Sequence, residues 1–123
     1  MPTNIRIIHA HDFVRATPEG RLNFEESERL LVQIATAAPG LAEYEILLDT
    51  RKAQVEMSHG ELFYLAAELR KHFKFNQKIA VLYPVGRFDN ADFFALSAQN
   101  RGFRLNAFAS FEDAIEWLLT DEP

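Results

Sequence analysis

Between Ile46 and Leu65 the chain reads ILLDTRKAQVEMSHGELFYL, and this segment gathers the side chains best suited to chemistry. An apolar run, Ile46-Leu47-Leu48, stops at the carboxylate of Asp49, with Thr50 and Arg51 behind it. Ser58-His59-Gly60-Glu61 then opens an apolar-periodic stretch. Strand, polar loop and capped helix in that order bring polar groups to one strand end, beside the positive end of a helix. Ligands bind and modifications occur at such places in α/β proteins. A phosphate, a carboxylate or a partner's acidic side chain could dock on the unpaired amides around Ser58, His59 and Gly60. Arg51, together with Arg87 in the loop after the next strand, would favour such an anion. The plainer reading makes these groups solvated loop charges and gives Ser58 the role of helix cap.

Asp49 and His59 could in principle form an acid–base pair across the loop, but a carboxylate in this position more commonly accepts hydrogen bonds from loop amides. The chain has no GxSxG, HExxH, P-loop or GxGxxG pattern and only five glycines in all. No enzymatic activity and no cofactor are expected. His9-Ala10-His11-Asp12 places two histidines at i and i+2, on one face of a strand. A zinc or iron site needs further ligands, and His59 and His72 belong to other elements, so no metal is expected. The absence of cysteine excludes disulfides, thiol catalysis and Cys-based metal centres, and it suits a reducing cytoplasm.

A net charge of −5, with the 13 basic residues scattered rather than clustered, argues against nucleic acid as a partner. The amino-terminal MPTNIRII has neither a basic nor a long apolar region, so a signal peptide is not expected. No apolar stretch approaches the roughly 20 residues of a membrane span. The expectation is a cytoplasmic domain over residues 1–123, large enough to bury its own core. Eleven phenylalanines point to a Phe-rich core or, more sharply, to an apolar ligand cleft.

The elements that must position these groups follow from periodicity. Residues 4–9 and 12–16 read as two short strands of a hairpin, with Thr17-Pro18-Glu19-Gly20 turning the chain. Asn23, with Glu26 three residues on, opens a helix carrying Leu30, Leu31 and Ile34 and stopped by Pro39-Gly40. Residues 44–48 form a strand buried on both faces. Ser58 and Glu61 form a capping box before Leu62, Leu65, Ala66, Leu69 and Phe73, which share one helical face. A strand over 78–83, a helix over 90–101 capped by Asp89 and stopped by Gly102, and a strand over 103–109 come next. Ser110 caps the last helix, whose apolar face holds Phe111, Ala114, Ile115 and Leu118. The order ββαβαβαβα predicts an α/β fold: a mixed, mostly parallel five-stranded sheet with four helices and right-handed crossovers.

From Ile46 onward the pattern resembles the STAS fold family of anti-sigma-factor antagonist domains, in particular the SpoIIAA-like branch of small bacterial proteins. Asp49 and Gly60 have the family's spacing. Arg101-Gly102-Phe103, Phe108 and the run from Phe111 to Leu118 (FEDAIEWL) are similar to the SpoIIAA-like ending. The resemblance implies this fold over essentially the whole chain and a regulatory role exercised through protein contacts. In the antagonists the cap reads Asp-Ser-Ser-Gly and is phosphorylated just before the glycine. Here it reads Met57-Ser58-His59-Gly60, so His59 stands at the phosphoacceptor position.

Two functions are consistent with this. The first is a non-catalytic interaction module acting around Asp49 and Ser58–Gly60, on another protein or as a homodimer, with a flat, partly polar surface at the strand ends and no internal cavity. The second is a carrier or sensor of a small apolar ligand, because the SpoIIAA-like fold resembles the lipid-carrying Sec14-type domains. It predicts a cleft between the last two helices and the sheet, walled by Phe88, Phe93, Phe94 and Phe111, with Arg87 or Arg51 at its mouth. Trp117 lies one residue off the apolar stripe of its helix, so it closes the core edge or meets a second subunit. Phe93 and Phe94, adjacent on a helix, cannot both face the core centre.

Overall fold

The computed structural model describes residues 3–8, 13–37, 45–86 and 88–120. Strands β1 (Thr3–Ile8) and β2 (Phe13–Pro18) pair antiparallel, from Thr3 opposite Pro18 to Ile8 opposite Phe13. Strand β2 then pairs parallel with β4 (Glu45–Asp49), β4 with β6 (Lys78–Leu82) and β6 with β7 (Arg104–Phe108). The sheet order β1-β2-β4-β6-β7 is the expected mixed, mostly parallel arrangement. Among the described residues the four α-helices are α1 (Phe24–Thr36), α2 (His59–Glu68), α3 (Phe88–Asn100) and α4 (Phe111–Leu119).

One feature departs from the expected element order. Two three-residue strands, β3 (Gly20–Leu22) and β5 (Ala53–Val55), pair parallel beside the main sheet. The segment Thr17-Pro18-Glu19-Gly20 turns the chain as expected, but into a further strand: Pro18 ends β2, and Gly20, at φ +82, redirects the chain into β3. Glycine adopts that left-handed conformation at little cost. The expected stop at Pro39-Gly40 and the strand start at Tyr44 lie outside the described residues.

Alternation along the strands divides the core in two. Val14, Ala16, Ile46, Ile79, Val81 and Leu105 face α1, α2 and α3, which contribute Leu30, Ile34, Leu62, Leu65, Ala66, Phe94 and Ala98. Phe13, Leu47, Ala80 and Leu82 point the other way, onto Ala114 and Leu118 of α4. Every residue of β6 is buried, as expected of a central strand covered on both faces. Helix α4 packs on β4, β6 and β7. Beside it, Asn4, Arg15 and Thr17 of β1 and β2 border a solvent-open depression on the same face.

The helix ends follow local chemistry. Asn23 accepts from the Glu26 amide at 2.8 Å, while the Glu26 carboxylate turns to Arg29. Ser110 accepts from the Asp113 amide. Asp89 is a residue of the first turn of α3, not its cap, because the helix begins one residue earlier, at Phe88. Gly102, at φ +92, ends α3 as expected, its amide donating to the Gln99 carbonyl and the Phe103 amide to the Ala98 carbonyl. This pair of bonds is a Schellman stop.

Candidate functional site

Asp49 is the last residue of β4, where the strand leaves the sheet. Thr50 fixes the exit, its amide and hydroxyl both donating to the Leu82 carbonyl, at 2.9 and 2.6 Å. The Asp49 side chain is 3% exposed and accepts four hydrogen bonds. Oδ1 takes the Arg51 amide at 3.1 Å and Arg51 Nε at 2.9 Å, and Oδ2 takes Arg51 Nη2 at 2.8 Å and Arg15 Nη2 at 3.3 Å. Burial by itself raises a carboxyl pKa. Here the hydrogen bonds and charge of Arg51, with the bond from Arg15, outweigh it and hold Asp49 below the ordinary aspartate range. The hydrogen bonds that Arg51 donates to Asp49 in turn raise the Arg51 pKa.

Both guanidiniums lie over the Phe111 ring, Arg15 at 5.2 Å and Arg51 at 5.9 Å from its centroid. An open depression of about 490 Å³ is lined by Asn4, Arg15, Thr17, Asp49, Arg51 and Lys52. Asp49, ionised and fully engaged, is unsuited to act as a base; its work is to fix the loop and orient two cations.

The cap at α2 is a complete capping box. Ser58 Oγ accepts from the Glu61 amide at 3.1 Å, and the Glu61 carboxylate accepts from the Ser58 amide at 2.9 Å. Met57, just before the cap, is partly buried against the main core. The His59 ring stacks on Phe93, with centroids 4.3 Å apart and an interplanar angle of 8°. Gly60 is exposed, and a Cβ there would meet only Ser58 Oγ, at 3.8 Å. The structure thus joins Asp49 to Arg51 but turns His59 to Phe93. With Asp49 held by two arginines, the acid–base pair is not formed.

The phenylalanines do not wall one cleft. Phe94 is buried in the core under α1, α2 and α3, whereas Phe111 packs on the opposite face of the sheet. Phe93 is taken by His59, and Arg87 and the side chain of Phe88 lie outside the described residues, as do His9 and His11. Trp117 closes the edge of the smaller core, its ring 5.6 Å from that of Phe108. Buried Lys78 reaches across from β6 to the end of α4, where Nζ donates to the carbonyls of Trp117, at 2.9 Å, and Thr120. A charge there satisfies orphan carbonyls and the helix dipole together.

An apolar cavity of about 110 Å³ lies between helices α1, α2 and α3 and the sheet, with Leu30, Ile34, Leu65, Phe94 and the unpartnered hydroxyl of Ser27 among its walls. An interaction module was expected to have no internal cavity; this one is smaller than the roughly 300–1,000 Å³ of sites for drug-sized ligands.

Three features escaped sequence reasoning. Arg15 joins Asp49 from 34 residues away, across the β2–β4 pairing, and nothing local signals it. Lys78 at the start of a strand gives no sign that it caps a helix 39 residues on. Phe63 and Tyr64, exposed by 48% and 66%, did carry a signal: they stand off the Leu62, Leu65, Ala66, Leu69 stripe of α2. One turn beyond Phe93 on α3, Leu96 is 51% exposed, and the Arg101 guanidinium lies 4.5 Å from the Phe63 ring centroid. Among the described residues no helix is long and apolar enough to cross a membrane, and no group of three or more His, Asp or Glu could hold a metal ion.

No protein-family profile and no curated protein matches the chain. Solved structures do. An uncharacterized protein of the DUF3478 family with a SpoIIAA-like fold, from Shewanella loihica PV-4, is 20% identical over 94% of this chain and 93% of its own, with a TM-score of 0.60. The anti-sigma factor antagonist SpoIIAA in its unphosphorylated form is 17% identical over 95% of this chain and 97% of its own, with a TM-score of 0.52. The chain has the SpoIIAA-like, STAS-type fold.

Proposed function

We propose that this protein is a non-catalytic regulatory module of the cytoplasm that binds a protein partner through its strand-end and helix-cap region. Asp49 shapes the strand end, the Ser58–Gly60 cap begins the contact surface, and the α2–α3 face extends it. The observation that carries this reading is the exposure of Phe63 and Tyr64 one turn beyond the cap, with Leu96 exposed on the neighbouring helix. Apolar groups clustered beside polar ones on a water-soluble surface mark interaction sites. The likeness to SpoIIAA, an anti-sigma factor antagonist, supports a regulatory partner in kind. A phosphorylation switch in the antagonists' register is not proposed, because His59 occupies the acceptor position and the Ser58 hydroxyl is engaged in the cap. Nor is a Sec14-like cleft, since Phe94 and Phe111 lie on opposite faces of the sheet.

A photo-crosslinking residue at Tyr64, introduced in the native host, tests the reading. The expected result is one discrete adduct. Its purified partner should bind the wild type at least about tenfold more tightly than Phe63→Glu, as loss of a central aromatic anchor implies, with the melting temperature of the variant unchanged. Absence of any adduct, or equal binding by both proteins, would overturn it.

A further inference from the structure

On the opposite face of the sheet from α2 and α3, the depression beside α4 has the makings of a second site, which shares Asp49 with the strand end described above. Three cations, Arg15, Arg51 and Lys52, line it with one carboxylate, Asp49, in a protein whose net charge is −5. Glu112 lies near enough to Arg51 to act on its charge, which among the described residues leaves the excess positive by one. A local field of opposite sign to the molecule concentrates anions there.

The hydrogen bonding is incomplete in one direction. Asp49 offers two oxygens, and each already accepts two donors. Arg51 is held at Nε and Nη2, so its remaining nitrogen is left to other acceptors. Arg15 makes a single bond to Asp49, at 3.3 Å, and its Nε is buried without a partner. The two guanidiniums are anchored by one carboxylate, Asp49, and lie over one aromatic ring, Phe111. Such anchoring orients a planar fork before any ligand arrives, the arrangement that matches carboxylate and phosphate oxygens. The Arg15 and Arg51 side chains are 33% and 39% exposed, enough to be reached from solvent.

We propose that this depression binds a small organic oxyanion, a phosphate or carboxylate on a polar body, with Arg15, Arg51 and Lys52 as its charge partners. Thr17 and Asn4 contact the body. The volume of about 490 Å³ exceeds what the anionic group alone requires and falls in the range of small-molecule sites. Among the described residues the lining contains no apolar side chain, and the Phe111 ring already lies beneath the guanidiniums, so the body is hydroxylated or amino-bearing rather than aromatic.

The test is an amide NMR titration of the whole chain with inorganic phosphate, citrate and glycerol 3-phosphate, each at constant ionic strength against sodium chloride. Phosphate against citrate distinguishes the two head groups. The expected result is saturable shifts centred on residues 15–17 and 49–52 for at least one probe. Loss of one charge-assisted partner should weaken that binding about tenfold in Arg15→Gln and several-fold in Lys52→Gln. Lys52 is exposed, so its variant keeps the test decisive if Arg15→Gln fails to fold. Shifts that match sodium chloride, or affinities unchanged in Lys52→Gln, would overturn the proposal. So would an acidic peptide that outcompetes every small anion. Neither result bears on the α2–α3 face.

Discussion

Asp49 is the residue on which local structure and charge most depend. It is buried at a strand end yet ionised, because two guanidiniums and one amide compensate its desolvation. A carboxyl whose folded pKa lies below its unfolded value of about 3.9 stabilises the fold above that pH. The contribution is lost as pH falls through the lower, folded value. Asp49→Asn is therefore expected to cost about 1.5–3 kcal/mol near neutrality, the range for hydrogen bonds to charged groups. Its melting temperature should converge on that of the wild type as pH drops below about 4. Glu45 opposes this trend: burial raises its pKa against the lowering effect of the Lys78 amide and charge, so its ionisation costs stability as pH rises. The difference between wild type and variant, measured by thermal melts across pH, isolates Asp49. A constant difference down to pH about 3 would show that its charge is not what stabilises the loop.

The elements divide by how local their causes are. The caps at Asn23, Ser58 and Ser110 were legible because a cap and its amide partner lie within one turn, and all three hold. The box at α2 is the most complete, so Ser58→Ala is expected to lower stability by roughly 1 kcal/mol, read from denaturant midpoints. An unchanged midpoint would mean that the hydroxyl does not cap. The mixed, mostly parallel sheet was legible because alternating strand and helix units demand parallel pairing through crossovers. The β3–β5 pairing was not, since two three-residue strands have no period to read and their partner segments are 33 residues apart in register. The same limit hid Arg15 and Lys78. Each acts through a contact that exists only once distant strands or a strand and a helix are brought together. Sequence placed Asp49 and Arg51 in the site; the fold exchanged His59 for Arg15 as the partner of that carboxylate.

At the scale of the molecule, two opposing tendencies meet on the α2–α3 face. Phe63, Tyr64 and Leu96 favour association, while a net charge of −5 makes two copies repel. Repulsion between exposed charges is screened by salt, with a Debye length of about 10 Å at 0.1 M and about 3 Å at 1 M. Apolar burial is not weakened in this way. If the partner of this face is a second copy of the chain, the weight-average mass in sedimentation should rise as sodium chloride is raised from about 0.01 to about 1 M. Phe63→Glu should abolish the rise, because it places a charge where an apolar contact must form and adds one more negative charge to each copy. The alternative is equally informative. A mass that stays flat in both proteins removes self-association and assigns the exposed aromatics to a different protein. A rise that persists in Phe63→Glu moves the self-contact off this face altogether.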